Sequence, residues 1–139
     1  MNIIFKKAER KDWDFILELR NDFYSNFSEQ KKPLTKEEHY EYMEKQKLNP
    51  LFHHWIIEYQ KENTGYVRIL GQDVGIMVKK EFHNKGIASE GLKLIEKKAK
   101  ELNIPKLVAM VKIKNETSKN IFLKNNYKLT MYKFEKELS

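Results

Sequence analysis

Lys85, Gly86 and Ala88 stand in a polar turn between a short apolar run and an amphipathic one, a layout suited to holding phosphate. Asp73 to Val78 is apolar at Val74, Ile76, Met77 and Val78 and reads as a buried strand. From Ile87 onward, Gly91, Leu92, Ile95, Ala99 and Leu102 recur at helical spacing, with Lys and Glu opposite. The first amides of such a helix have no intrahelical acceptor, and its dipole adds about half a positive charge there. Gly86 and Ala88 would let an anion come close to the backbone, and Lys85 adds a mobile cation. The amides from Asn84 through Ser89, with Lys85, Gly86, Ile87 and Ala88 between them, are therefore expected to grip a phosphate-bearing ligand.

The rest of the chain has to position that grip. Its 139 residues fit one domain, 1–139, with a sizeable core. No run of about 20 apolar residues is present and the start, Met-Asn-Ile-Ile-Phe-Lys-Lys, lacks a signal-peptide layout, so a soluble cytoplasmic protein without membrane partners is expected. With no cysteine, disulfides, thiolate metal sites and a cysteine nucleophile are excluded. No histidine spacing suggests a metal. The net charge of +7 is carried almost wholly by Lys interspersed with Glu, and Arg10, Arg20 and Arg68 are the only arginines. That is a solvated surface more than a nucleic-acid face, and a positive field also suits an anionic small molecule.

Ile3 to Phe5 reads as a first strand, and Lys11 to Tyr24 as a helix through Trp13, Ile16, Leu17, Leu19 and Phe23. Asn26 to Pro33 reads as a loop; Trp13, Phe15, Phe23 and Phe27 are taken as core and loop packing. Thr35 and Glu38 form a capping box opening a second helix to about Gln46. Phe52 to Tyr59 and Tyr66 to Leu70 read as a hairpin with Lys61 to Gly65 as its turn, and Gly71-Gln72 turns into the strand at Asp73. Lys106 to Val111 is a further buried strand and Asn115 to Asn125 a last helix, with Asn126 placed to end it in the left-handed region. Tyr127 to Glu137 alternates apolar and polar residues as one or two closing strands. The expected fold is α/β (α+β): a mixed, mostly antiparallel sheet flanked by about four helices.

This order of elements resembles the GCN5-related N-acetyltransferase (GNAT) family, whose hallmark Gln/Arg-x-x-Gly-x-Gly/Ala opens the central helix. Here it reads His83-Asn84-Lys85-Gly86-Ile87-Ala88, followed at the family's distance by Asn115 and a helix ending Phe122-Leu123-Lys124-Asn125-Asn126-Tyr127. The resemblance implies a sheet with splayed central strands and acetyl-coenzyme A as cofactor. It also implies direct acetyl transfer to a primary amine. Ile76, Met77 and Val78 would bond the pantetheine arm through their backbone, an N–H near Val78 would meet the thioester oxygen, and Asn115 would contact the cofactor, unless it simply caps its helix. Gly75 reads either as room for close approach or as a bulge.

Phe122 stands where the family's Tyr protonates the leaving thiolate. A thiol of pKa about 8.5 leaves tolerably as thiolate near neutral pH, and water, Tyr66 or Tyr127 could replace the acid. Asp73 is favoured as general base, against a plain turn aspartate, with Glu58 in reserve; His39, His53 and His54 read as packing or surface residues. Tyr66 and Arg68 share a strand face and, with Arg20 and Asn21, could read the acceptor, although Arg68 would serve equally as an ion-pair partner of Asp73 or Glu58. Leu19-Arg20-Asn21, Leu34 to His39, Gly65 to Arg68 and Asp73 to Ile76 resemble the nucleotide amino-sugar acetyltransferases, with parts shared by the ribosomal-protein N-terminal enzymes. The alternatives are a protein N-terminal or lysine acetyltransferase, and a non-catalytic acetyl-coenzyme A-binding domain. A small-molecule amine is the expected partner, and a homodimer stays open.

Overall fold

A computed structural model describes residues 2–24 and 32–139. The expected loop from Asn26 lies mostly outside these residues, as does Phe27. The elements, in order, are β1 (Ile3–Lys7), a 3-10 turn at Arg10–Asp12, α1 (Trp13–Asp22), α2 (Lys36–Lys47), β2 (Phe52–Tyr59), β3 (Glu62–Leu70) and β4 (Asp73–Val78). Another 3-10 turn at Lys80–Phe82 then leads to α3 (Ile87–Glu101) and α4 (Glu116–Lys124). β1 to β4 form one antiparallel sheet in sequence order.

Helices cover both faces. Because strand side chains alternate, Val67, Ile69, Val74 and Val78 meet Ile87, Leu92 and Ile95 of α3 and Phe122 of α4 on one face. On the other, Ile56 and Tyr66 meet Trp13, Ile16 and Leu19 of α1 and Met43 of α2. Phe15 and Phe23 pack against this second cluster, as the packing reading of α1's aromatics expects. The capping box forms as expected, with Thr35 Oγ1 accepting from Glu38 N–H at 3.1 Å and the Glu38 carboxylate accepting from Thr35 N–H at 3.0 Å.

The β2–β3 turn is tighter than the sequence suggests. Gln60 and Lys61 make it alone, both at positive φ (52° and 66°), and Glu62 to Gly65 already belong to β3. Turn-prone Asn63, Thr64 and Gly65 are instead used for a register shift between Ile57 and Glu58. Thr64, fully buried, donates there to the Ile57 carbonyl at 3.0 Å.

Two expected strands are corrected. Residues 106–111 make a single parallel bridge to β4, Asp73 to Val108, and then leave it. Val74 N–H donates to Val108 O and Val108 N–H to Gln72 O, each at 2.8 Å, with no rung beyond them. Tyr127 to Glu137 forms no strand either: beyond Tyr127 the tail is exposed and meets no sheet edge in this chain. Periodicity shows that a segment suits a pleat but not which edge receives it.

Candidate active site

The departure of residues 109–111 from β4 leaves the outer edge of that strand open toward Val78. Main-chain groups of one strand residue point to one side and those of the next to the other. Val74 bonds outward to Val108, and Lys79 inward to the Thr64 carbonyl at 2.8 Å. Ile76 and Val78 therefore turn their N–H groups to the open edge, whereas those of Met77 face β3, opposite Tyr66. Of the three residues expected to line the cofactor arm with their backbone, Met77 is thus corrected to an inner position, its side chain against the α1/α2 cluster.

Beyond Val78 the chain turns tightly. His83 Nε2 donates to the Val78 carbonyl at 2.7 Å and its ring stacks on Phe23, the residue that ends α1, centroids 5.7 Å apart, bracing strand end to turn. Asn84 and Gly86 adopt positive φ, 63° and 80°, and Gly86 is the N-cap of α3. The first α-helical bond runs from Glu90 N–H to Gly86 O, 3.0 Å, so the amides of Ile87, Ala88 and Ser89 before it have no intrahelical acceptor. Lys85 is exposed beside them. Ser89 Oγ accepts from Asn125 Nδ2 at 3.0 Å, tying α4 to the same turn. This cradle and the free edge fit an elongated ligand with an anionic end.

Asn115 caps α4, its Oδ1 accepting from Ser118 N–H at 3.2 Å. Phe122 is buried in the α3/α4 core, edge-on to Tyr127 at 4.9 Å. The Tyr127 hydroxyl is buried without a partner, and burial with nearby Glu96 pushes its pKa up to about 12.

On the α1/α2 face a second group of polar residues gathers. Arg68 Nη1 donates to Asp73 Oδ2 at 3.0 Å and to the Asp73 carbonyl at 3.1 Å. The ion-pair reading of Arg68 therefore describes its contacts, with Asp73 as partner; Glu58 pairs instead with Lys6 at 3.0 Å, two strands away from β4. Gly75 is no bulge, since β3 and β4 stay in register across it. A Cβ there would stand 3.3 Å from the Arg68 guanidinium carbon, so the missing side chain makes the guanidinium's seat.

Arg20 of α1 lies over the Tyr42 ring at 4.8 Å, and its Nη1 donates to His39 Nδ1 at 3.2 Å. His39, fully buried, donates from Nε2 to the Trp13 carbonyl at 2.8 Å, and burial lowers its pKa, so it stays neutral and acceptor-ready at Nδ1. Burial also lowers the Arg20 pKa, Tyr42 and Tyr66 oppose that shift, and Arg68 adds to it. No carboxylate among the described residues pairs with Arg20. Asn21, by contrast, is spent on the chain: its side chain donates to the Leu34 carbonyl at 3.0 Å and accepts from Leu34 N–H at 2.7 Å, clamping α1 to the start of α2.

Tyr66 is buried, and its hydroxyl shares a hydrogen bond with His54 Nδ1 at 2.9 Å. Burial raises the tyrosine pKa and lowers that of His54 to about 4, so both are neutral near pH 7. His54 as Tyr66's partner and His39 as Arg20's support were not visible in the sequence, where each is one histidine in an aromatic or charged run. Since the folded His54 pKa lies below the unfolded value of about 6.5, its contribution is complete above 6.5. It is lost as pH falls from there toward 4. Thermal melts should show a midpoint dropping over that window, and His54→Gln should flatten the drop; a pH-independent midpoint would contradict the buried neutral ring.

A family model for the acetyltransferase (GNAT) domain matches residues 2–128. The chain belongs to the GNAT acetyltransferase family. This acetyltransferase shares 25% identity with a solved N-acetyltransferase from Staphylococcus aureus Mu50, over 92% of this chain and 84% of that one, with a TM-score of 0.79. A Vibrio cholerae spermidine N-acetyltransferase, solved with coenzyme A and spermine, has a TM-score of 0.77 at 21% identity over 88% and 79%. An aminoglycoside 6'-N-acetyltransferase from Acinetobacter haemolyticus gives 0.70 at 17%, over 100% of both chains. No curated protein matches this acetyltransferase in sequence. It is an N-acetyltransferase with acetyl-coenzyme A as cosubstrate, and among the described residues no helix is long and apolar enough to cross a membrane.

Proposed function

We propose that this acetyltransferase acetylates the primary amine of a small molecule that also carries negative charge, a nucleotide-linked amino sugar fitting best. The observation that carries this is the Arg20–Arg68 pair on the α1/α2 face of the sheet. Both guanidiniums are partly buried, and Arg20 has no carboxylate among the described residues to balance it. A partly buried cation without a counter-ion is costly, and a phosphate group of the acceptor would supply one in fork geometry. A polycationic acceptor would meet like charge there.

Cofactor holding falls to the N–H groups of Ile76 and Val78 along the free β4 edge and to the amides of Asn84 through Ser89 around the diphosphate. Asn115 and Phe122 stand on α4 behind them. Val78 lies at the diphosphate end, so the amide facing the thioester oxygen is assigned to Ile76, closer to the point where β4 meets Val108. Such a donor stabilises the charge that develops on the oxygen. Asp73, oriented by Arg68, takes the amine proton. Tyr66, with its proton firmly held, shapes the acceptor floor beside Arg68. The thiolate leaves unassisted, which accommodates Phe122.

Coenzyme A release measured across nucleotide amino sugars, spermidine and amino-terminal peptides tests this reading. Turnover is expected with the first class alone, and Asp73→Asn should lower kcat at least tenfold. Turnover of spermidine or peptide without the nucleotide sugar would overturn the acceptor assignment. A binder that turns over nothing would remove the catalytic roles.

A further inference from the structure

Tyr66 and Arg68 stand two residues apart on one face of β3, so their side chains start about 6.6 Å from each other. Left to themselves such neighbours close, the cation over the ring or its N–H groups on the phenol oxygen. Here they lean apart. Arg68 crosses the place where Gly75 has no side chain and bonds Asp73 at the start of β4. Tyr66 leans the other way, to β2, where its hydroxyl meets His54 Nδ1 at 2.9 Å and the two rings stand edge to face. The slot between them lies on the α1/α2 face, and the charges of both Arg68 and Arg20 act on the Tyr66 hydroxyl.

The two walls of this slot are held differently. Arg68 is tied twice to one residue, by its carboxylate and its carbonyl. Among the described residues the Tyr66 hydroxyl is held by His54 alone. Pairing of β2 with β3 sets His54 directly opposite Arg68, two residues from the Ile56–Tyr66 pair and on the same face. Phe52 lies against its ring, centroids 4.7 Å apart, and Ala8 N–H donates to its carbonyl at 3.2 Å. Beyond the ring is a cavity of about 120 Å³ lined in part by Trp13, Met43 and Phe52. His54 Nε2 has no hydrogen-bond partner among the described residues. With space on that side, packing does not fix the ring against Tyr66; the hydrogen bond does. A phenylalanine would fill much the same volume. What histidine adds is a polar atom facing the phenol.

We propose that His54 is a positioning residue of the acceptor site: by holding the Tyr66 hydroxyl toward β2, it keeps the slot between Tyr66 and Arg68 open for the acceptor's anionic group. Its role rests on the reading that this face takes the acceptor. Without His54 the buried hydroxyl loses its partner, which is costly. Arg68 and Arg20 would then offer it N–H groups, and the ring would swing into the slot and occupy the forks that a phosphate needs. His54 itself touches no acceptor atom; its effect passes through Tyr66.

His54→Phe keeps the ring and removes both nitrogens. In the otherwise native chain it should raise the acceptor KM about tenfold and leave kcat and the acetyl-coenzyme A dissociation constant within about twofold of native. Made in Tyr66→Phe, where no hydroxyl remains to swing, the same substitution should leave the KM of that background unchanged. A purely structural His54 would cost the same in both backgrounds, and that additivity would overturn the proposal. So would a native KM in His54→Phe, or a loss that falls on kcat or on the cofactor. Melts show whether each variant is folded, and His54→Leu gives the same cycle where His54→Phe is not. The cycle is run with whichever amine the native chain acetylates, beside Arg20→Ala. An acceptor KM indifferent to Arg20→Ala would fail the acceptor reading and this inference with it. Additivity at His54 and Tyr66, with Arg20→Ala still harmful, would fail this inference alone.

Discussion

Gly86→Glu is expected to raise the dissociation constant of acetyl-coenzyme A about 100-fold or more, a loss of about 3 kcal/mol, without unfolding the domain. Two effects combine. Gly86 sits at φ 80°, where a side chain costs about 1–2 kcal/mol, so the turn that aims the amides of Ile87, Ala88 and Ser89 is distorted. The new carboxylate also stands where an anion must come and competes for the same donors. Gly71→Ala is the control: φ there is 65° with nothing within 4 Å of the added carbon. It carries a similar backbone penalty at a turn away from the cradle, and should leave cofactor affinity unchanged. Calorimetric titration separates the two, and near-native affinity in Gly86→Glu would remove the cradle from the cofactor site.

The second large effect concerns the sheet. Gly65→Ala should lower stability by about 2–4 kcal/mol, seen as a melting midpoint roughly 10 °C lower. An added Cβ would stand 2.5 Å from the Met77 carbonyl oxygen and 3.3 Å from both the Ile57 Cδ1 and the Val78 Cα. The nearest of these is main chain and cannot rotate aside, so β3 and β4 must part. Because β4 carries the free edge and leads into the Gly86 turn, cofactor affinity should fall with stability, although Gly65 meets β4 only from its inner side. An unchanged melt would show that the two strands are less closely apposed than their pairing indicates.

These two glycines differ in how legible they were. The place of Gly86 at the start of α3 followed from local order alone: an apolar run, a polar turn and an amphipathic helix define a helix N-terminus wherever they occur, because the free amides are a property of the backbone. Gly65 read as part of a turn, since Asn63, Thr64 and Gly65 favour turns locally; only the register shift at Ile57 and Glu58 puts them in a strand, pressed against β4. The strands at 106–111 and 127–137 were misjudged for a related reason. Alternation announces a side chain's preference for one face, while pairing depends on which edge is vacant.

The sequence by itself determined the helices, the capping box at Thr35 and the turn that opens α3, because each rests on spacing within about a dozen residues, and the order of those elements carried the family resemblance. Tertiary structure alone decided which polar groups face one another. Arg68 comes to Asp73 over the gap left by Gly75, His39 comes under Arg20, and His54 comes to the Tyr66 hydroxyl. Such partnerships join residues from different elements. Their energies come from burial and from charge held close in a low dielectric, neither of which exists until the elements have packed.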